Sequence, residues 1–451
     1  MKTLRSTKVG VWQSIALATV VGVVVAACGG PGGTPAPGGT PAPGTPAPGG
    51  SPGEQLGGSV SVLATWTGTE QGFFMDMIQP WVDATGVQVS YQGSRDLGTI
   101  LGPNIGGGGA GLPDVAGVPG LGEMADWFAL GALKPLSFIN IDDYRASSAL
   151  AELGIVDGQL AGVFIKSSPK GFIWYNVNNY DGTVPATWDE LQAMDPVEGG
   201  SLWCNAFESG GDSGWPGTDW VEDFVIRESG PDVYDSWVAG QTKWTSPEIR
   251  SAFEKMADVI GTSHGGGTYI NATTFNAVGD QLFADPPGCK FVHQASFIGA
   301  EGFQAVSGAS PEDYDFFVMP DINPDFSGAL VGGGDLFGMF NDTPQAQSLI
   351  AYLITPEAQA RWAASGGFIA ANKNVPSSAY KDDSDRKAGE AVANASAFRF
   401  DGGDAMPGEM KAAFFDAMVK LASNPDDIDT ILTELDTIQE QAYSGTASPS
   451  P

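Results

Sequence analysis

From Ser59 onward, short β-rich runs alternate with amphipathic helical patterns, and this alternation restricts the chain to a layered α/β fold. Residues 59–64 read as a strand. Residues 70–83 then place Phe73, Phe74, Met77, Ile78 and Trp81 on one helical face, and Gly86 follows the end of that pattern. Residues 87–91 alternate as a second strand, and 113–118 read as a third. Strands separated by helices imply a largely parallel sheet.

The pattern recurs after Ala161. Residues 162–165, 171–175, 290–294 and 315–319 read as strands. Thr187 and Glu190 frame a capping box, in which the hydroxyl accepts from the Glu190 amide and the carboxylate reaches back. Ser246-Pro247, Thr343-Pro344 and Thr355-Pro356 each pair a cap residue with proline at the first helical position. A last helix over 426–441 turns Ile428, Ile431, Leu432, Leu435 and Ile438 inward.

The two ends differ from this body. Lys2, Arg5 and Lys8 precede an apolar stretch over 15–27, which ends in Ala26-Ala27-Cys28. That stretch is an export signal, too short and wrongly flanked to span a bilayer. Cysteine directly after two alanines makes residues 1–27 a bacterial lipoprotein signal, with lipid on the Cys28 thiol. Residues 28–55 repeat Thr-Pro-Ala-Pro-Gly and hold no aliphatic residue larger than alanine up to Gln55, so they read as an extended linker off a membrane surface. Residues 444–451 read as a disordered tail. About 390 residues remain between the ends, more than one core usually serves, so two domains are expected.

Charge narrows the partners. The chain carries 53 acidic and 21 basic residues, a net −32. Nucleic acid and anionic lipid are therefore poor partners for its body. Cys204 and Cys289 remain once Cys28 is assigned, and one disulfide is the simplest reading in an oxidising compartment. A metal site would need more ligands; His264 and His293 are the only histidines, and neither falls in a ligand spacing. No metal and no cofactor is expected.

Several motifs then line up in order. They include Trp66-Thr67-Gly68-Thr69-Glu70, Ser94-Arg95-Asp96 and Leu112-Pro113-Asp114-Val115. Ser213-Gly214-Trp215-Pro216-Gly217-Thr218-Asp219-Trp220, His293-Gln294, Gly332-Gly333-Gly334-Asp335 and Arg399-Phe400-Asp401 follow. Together they resemble the extracellular solute-binding proteins of carbohydrate ABC importers, in the α-glucoside-binding branch related to maltose-binding protein. The resemblance implies a two-lobed periplasmic-binding-protein-like fold with three crossings, near Lys166, Val331 and Ala371. Lobe I would combine 56–165 with 331–370, and lobe II would combine 166–330 with 371–443. It further implies a monomer that captures sugar between hinged lobes and hands it to ABC permease subunits, while its lipid anchors it to the cell membrane.

The chemistry of a sugar selects candidates within those motifs. Its C–H face packs on an aromatic ring, and its hydroxyls favour carboxylate acceptors, whose bonds are roughly twice as strong as neutral ones. Trp66 and Glu70 flank a strand-to-helix loop, the end of such a unit that faces a ligand crevice. Asp96 offers an acceptor that Arg95 would orient. Trp215, Thr218, Asp219 and Trp220 offer two indoles around an acid, and Thr218 or Asp219 would cap a helix starting there. Gly334 and Asp335 sit at the expected second crossing, where glycine lets backbone amides approach a ligand. Gln294 and Arg399 are polar residues in apolar runs, each needing a partner from ligand or protein.

Competing classes stay open on sequence alone. A secreted glycoside hydrolase would use two carboxylates, and acids are plentiful. The chain holds no Gly-x-Ser-x-Gly elbow and no zinc motif. An adhesive surface protein and a binder of a non-sugar solute stay open as well. The 12 tryptophans and few basic residues favour a neutral polyol over an anion.

Overall fold

The computed structural model describes residues 56–94 and 96–444. The expected signal, Cys28, the linker up to residue 55, Arg95 and tail residues 445–451 lie outside the described residues.

The early strands are β1 (Ser59–Ala64), β2 (Gln88–Gly93) and β3 (Val115–Val118). A small hairpin, β4 (Ile155–Val156) and β5 (Gln159–Leu160), precedes β6 (Val163–Pro169) and β7 (Phe172–Asn176). Then come β8 (Ser201–Cys204), β9 (Cys289–Gln294), β10 (Tyr314–Val318), β11 (Ala329–Met339), β12 (Ile369–Ala370) and β13 (Ala397–Phe400).

The first sheet has the order β12-β6-β11-β3-β1-β2, with β13 also on β11. The second has the order β10-β7-β9-β8. Both are mixed, which corrects the expectation of a largely parallel sheet. β1 runs parallel to β2 and β3, as helical crossovers require. β11, however, runs antiparallel to both β6 and β3. The physical reason is the route of the chain. β6 carries it out to the second sheet through Lys170 and Gly171, and β11 brings it back, so the two point in opposite directions.

Local chemistry sets the helix ends. The Gly68–Thr85 helix buries Phe74, Met77, Ile78 and Trp81 and stops at Gly86, whose φ of 69° suits glycine and whose N–H bonds Val82 O. The side chains of Ser246, Thr343 and Thr355 accept from the amides of Ile249, Ala346 and Ala358. Thr187 does the same for Glu190, but the Glu190 carboxylate takes the Ala186 N–H at 2.9 Å, one residue before the cap. Only half of the expected box is formed.

Packing follows the two sheets. Trp66, Phe74, Ile78, Leu349 and Trp362 fill one core against the first sheet. Trp188, Trp203, Trp220, Phe224, Phe253 and Phe414 fill another beside the second. Each such side chain contributes about 1.5–3 kcal/mol by leaving water. A third cluster, with Phe164, Phe172, Trp174 and Leu330, spans the passage between the sheets. The helices Gly408–Ser423 and Ile428–Ala442 return to the second core, where Ile431, Leu432 and Leu435 are buried and Ile428 and Ile438 pack at its edge. Cys204 and Cys289 are joined by a disulfide between β8 and β9.

Candidate functional site

The loop after β1, the centre of β11 and the start of the Leu97–Gly106 helix meet around a cavity of about 400 Å³. Its lining includes Thr65, Asp96, Gly117, Pro119, Gly334 and Asp335. The volume falls within the roughly 300–1,000 Å³ of small-molecule sites. Asp96 comes from one sequence motif and Gly334 and Asp335 from another, more than 230 residues later, and the fold brings them to this one cavity.

The β11 strand is irregular here. Asp335 stands opposite Lys166 and Leu336 opposite Phe164, so the register slips by one residue between them. Such a bulge re-aims a side chain. Gly334 is fixed by crowding, since a Cβ there would sit 2.6 Å from the Lys166 carbonyl oxygen.

Behind Asp335 lies an aromatic brace. Trp66 is only 1% exposed and stacks on Phe337 at 5.2 Å, with the edge of Trp362 at 4.7 Å. Its indole N–H donates to Asp335 Oδ2 at 3.2 Å. Trp66 therefore orients the acid from within the core and offers no open face. Glu70, in the first turn of its helix, pairs with Lys166 at 3.3 Å. The Tyr91 hydroxyl donates to Trp66 O at 2.7 Å, and burial together with Glu70 and Asp335 pushes its pKa up.

A second wall, made of none of the residues that line the cavity, is built on the Trp215–Glu228 helix. Gly214 precedes it with a φ of 108°, and a Cβ there would lie 2.0 Å from Phe415 O, so glycine is required. The expected caps are not made. Thr218 Oγ1 donates to Trp215 O at 2.9 Å inside the helix, and Asp219 turns to Lys170. Both residues lie past the first helical positions, out of reach of the free amides at its start.

Of the two indoles, Trp215 alone is partly exposed. It meets Phe275 at 5.2 Å and Phe297 at 6.0 Å, with Lys170 Nζ 5.4 Å from its ring centre. Trp220 is fully buried, stacked on His293 at 4.1 Å, and its N–H donates to Asn205 at 2.9 Å. Gln294 is buried and accepts from the Ala295 amide at 2.7 Å. Arg399 makes a forked pair with Asp235 at 2.6 and 2.8 Å. Both polar residues thus find their partner in the protein.

Beneath Trp215 the helix buries charge. Lys170 Nζ bonds Asp219 at 2.6 Å and also bonds Asp401. Burial would lower the Lys170 pKa, but Asp219 and Asp401 more than offset it and hold it well above the usual range. Burial pushes Asp219 up to about 8 despite Lys170. At Asp401 burial is outweighed by the Lys170 ammonium, and the carboxyl lies below its usual value. The ammonium thus favours the ionised form of Asp401, while burial works against ionisation of Asp219. Asp219 Oδ2 is sealed and without a hydrogen-bond partner among the described residues. Glu222 is also raised by burial and by Asp401, and accepts from the Gly402 and Gly403 amides.

Residues 77–388 match the family model of the bacterial extracellular solute-binding proteins. This chain belongs to that family. The osmoprotective compounds-binding protein GgtB of Synechocystis is 32% identical over 382 residues, covering 81% of this chain and 89% of the relative. The alpha-glucosides-binding periplasmic protein AglE of Rhizobium meliloti is 33% identical over 384 residues, covering 80% and 83%. Among solved structures, the bacterial solute receptor AcbH superposes with a TM-score of 0.72 over 85% of this chain and 100% of its own, at 17% identity. The fold is the two-lobed α/β architecture of these binding proteins, and the relatives named are binders rather than enzymes.

Within this solute-binding protein, sequence reasoning passed over Lys166, Lys170, Tyr91 and Asp401 as site residues. Lys170 carried a signal: a single cation between Pro169 and Gly171, joining two apolar runs in a chain poor in basic residues. A charge in that position needs buried partners. Asp401, 231 residues away, gave no local sign of being one.

Proposed function

We propose that this protein captures a neutral sugar, an α-glucoside or related oligosaccharide, between its two lobes and delivers it to an ABC permease. The observation that carries the reading is the cavity at β11, where carboxylates and glycine backbone converge with an aromatic brace behind them. Carboxylates at such a wall accept from hydroxyls, and they disfavour an anionic ligand. Kinship with AglE and GgtB supports the same class.

In this reading Asp96, Gly334 and Asp335 contact the sugar from lobe I, and Trp215 supplies the stacking face from lobe II. Trp66, Glu70, Thr218, Asp219, Trp220, Gln294 and Arg399 support those contacts from behind. Lobe I combines 56–165 with 331–370, and lobe II combines 166–330 with 371–443. Sugar that touches both lobes only when they close shifts the population to the closed form, which the permease reads. The protein acts as a monomer, held outside the cytoplasmic membrane by lipid on Cys28, and no residue is catalytic.

The test is thermal unfolding of residues 57–444 against maltose, sucrose, trehalose and glucose. A ligand of the folded state adds about 2.7 kcal/mol at a hundredfold excess over its dissociation constant, so the midpoint rises with concentration. The expected result is such a rise with at least one α-linked glucoside and full recovery of the sugar. Sugar consumed would replace the reading with a hydrolase, and no shift with any sugar would end it.

A further inference from the structure

Lys170 stands where several distant segments meet. Its own N–H donates to Val331 O at 2.9 Å, which ties the outgoing passage to the returning one. The amide of Asp401 donates to Gly332 O at 2.9 Å, and that of Ser296 to Pro169 O at 3.0 Å. The lysine side chain is 10% exposed, and its ammonium reaches Asp219 on the Trp215–Glu228 helix and Asp401 beyond β13. With two carboxylates engaged, its remaining face is turned to the Trp215 ring, 5.4 Å from the centre. A cation that near an indole face is held to it.

Trp215 also meets two other rings. These are Phe275, met edge-on, and Phe297, and the residue is partly exposed. Gly214 before it and Pro216 after it fix the backbone but not the indole. The Asp219 carboxyl behind it is held at Oδ1 by the same ammonium.

We infer that Lys170 is a positioning residue of the sugar site: its ammonium, anchored on Asp219 and Asp401 where the two passages join, holds the Trp215 ring in the orientation that stacks on the ligand. This rests on the sugar reading above. Lys170 touches no ligand in this role. It sets the face of the indole and links that face to the region where the chain crosses between the sheets.

The experiment is a double-mutant cycle on the soluble domain, with affinity measured by calorimetry for whichever of maltose, sucrose and trehalose the unaltered protein binds. Lys170→Met is expected to weaken binding about tenfold, and Trp215→Phe by a similar factor. The double variant is expected to lose little more than the weaker single one, because both changes remove the same contact. Losses that multiply would show that Lys170 acts independently of Trp215, and would overturn the proposal. Unchanged affinity in Lys170→Met would do the same.

Removing the cation alone strands buried carboxylates, so Lys170→Met/Asp401→Asn is made beside it to keep the buried charge balanced. Regained stability with affinity still reduced supports positioning. Regained stability with full affinity would reduce Lys170 to a neutralising ion and overturn the proposal. If the unaltered protein binds none of the sugars, the sugar reading itself falls, and this role with it.

Discussion

The two walls handle their acids in opposite ways. On the first sheet, Asp96 and Asp335 line a cavity, and the residues behind Asp335 are aromatic. On the second, Asp219, Glu222, Asp223 and Asp401 are sealed beneath Trp215, with Lys170, Arg227 and His293 packed among them. An acid at a cavity keeps its hydration and stays available as an acceptor. An acid taken out of water must find an internal cation or a proton, and the second wall sets Lys170 against Asp219 and Asp401. The contrast teaches that a carboxylate beside a tryptophan in sequence carries no fixed meaning, because burial decides whether it faces a cavity or braces the scaffold.

The largest test of this contrast is to remove one lysine from each wall. Lys170→Met leaves buried acids uncompensated and is expected to cost about 3–5 kcal/mol in urea unfolding. Lys166→Met, which breaks the partly exposed pair with Glu70 and the approach of the ammonium to the Trp362 ring, is expected to cost less than about 1 kcal/mol. Equal costs would erase the distinction between the walls.

Next in size is Asp96→Ala. A charge-assisted bond to a ligand hydroxyl contributes about 1.5–3 kcal/mol, so sugar affinity should fall tenfold or more while the unfolding midpoint stays put. A lowered midpoint with unchanged affinity would make Asp96 part of the scaffold instead.

The remaining effect is a slope with pH. Asp219 holds its proton up to about 8 in the folded protein, whereas an unfolded aspartate releases it near 3.9. Between those values the folded state binds the extra proton, so this group's contribution to stability falls as pH rises. Asp401, depressed in the folded state, contributes stability that is lost only as pH falls below the ordinary carboxylate range. His293, lowered by burial, works against Asp219, because it loses stability as pH drops through its unfolded value near 6.5. Subtracting the midpoints of Asp219→Asn from those of the unaltered protein between pH 5 and 8 cancels His293 and Asp385, whose pKa of about 6 is common to both. The difference is expected to shrink steadily toward pH 8, and a flat difference would mean Asp219 is ionised throughout.

What could be read from sequence follows from how local each signal is. The caps at Ser246, Thr343 and Thr355 formed as expected because acceptor and amide lie three residues apart. Asp96 and Asp335, which follow a strand and a glycine run, line one cavity together. The helix at Trp215 was legible as a helix, but its burial on nearly every side was not. That burial is imposed by β9, β11 and the Gly408–Ser423 helix, which arrive much later in the chain. Trp220 looked like a ligand platform for the same reason: nothing nearby in sequence announced His293 as the ring that would cover it. The mixed sheets were missed because the alternation of strands and helices says nothing about the direction of a strand that returns from another sheet.

The bonding between β6 and β11 has a mechanical consequence. The outgoing and returning chains are zipped together from Val163 against Phe337 to Pro169 against Gly332, and Lys170 extends the zipper to Val331. Two separate strings would let the halves of the molecule slide, tilt and spin with equal ease. Paired antiparallel strands resist stretching and shear, since either would break several hydrogen bonds at once. The chain therefore leaves the first sheet for the second, and returns to it, as two strands tied to each other rather than as two free ones.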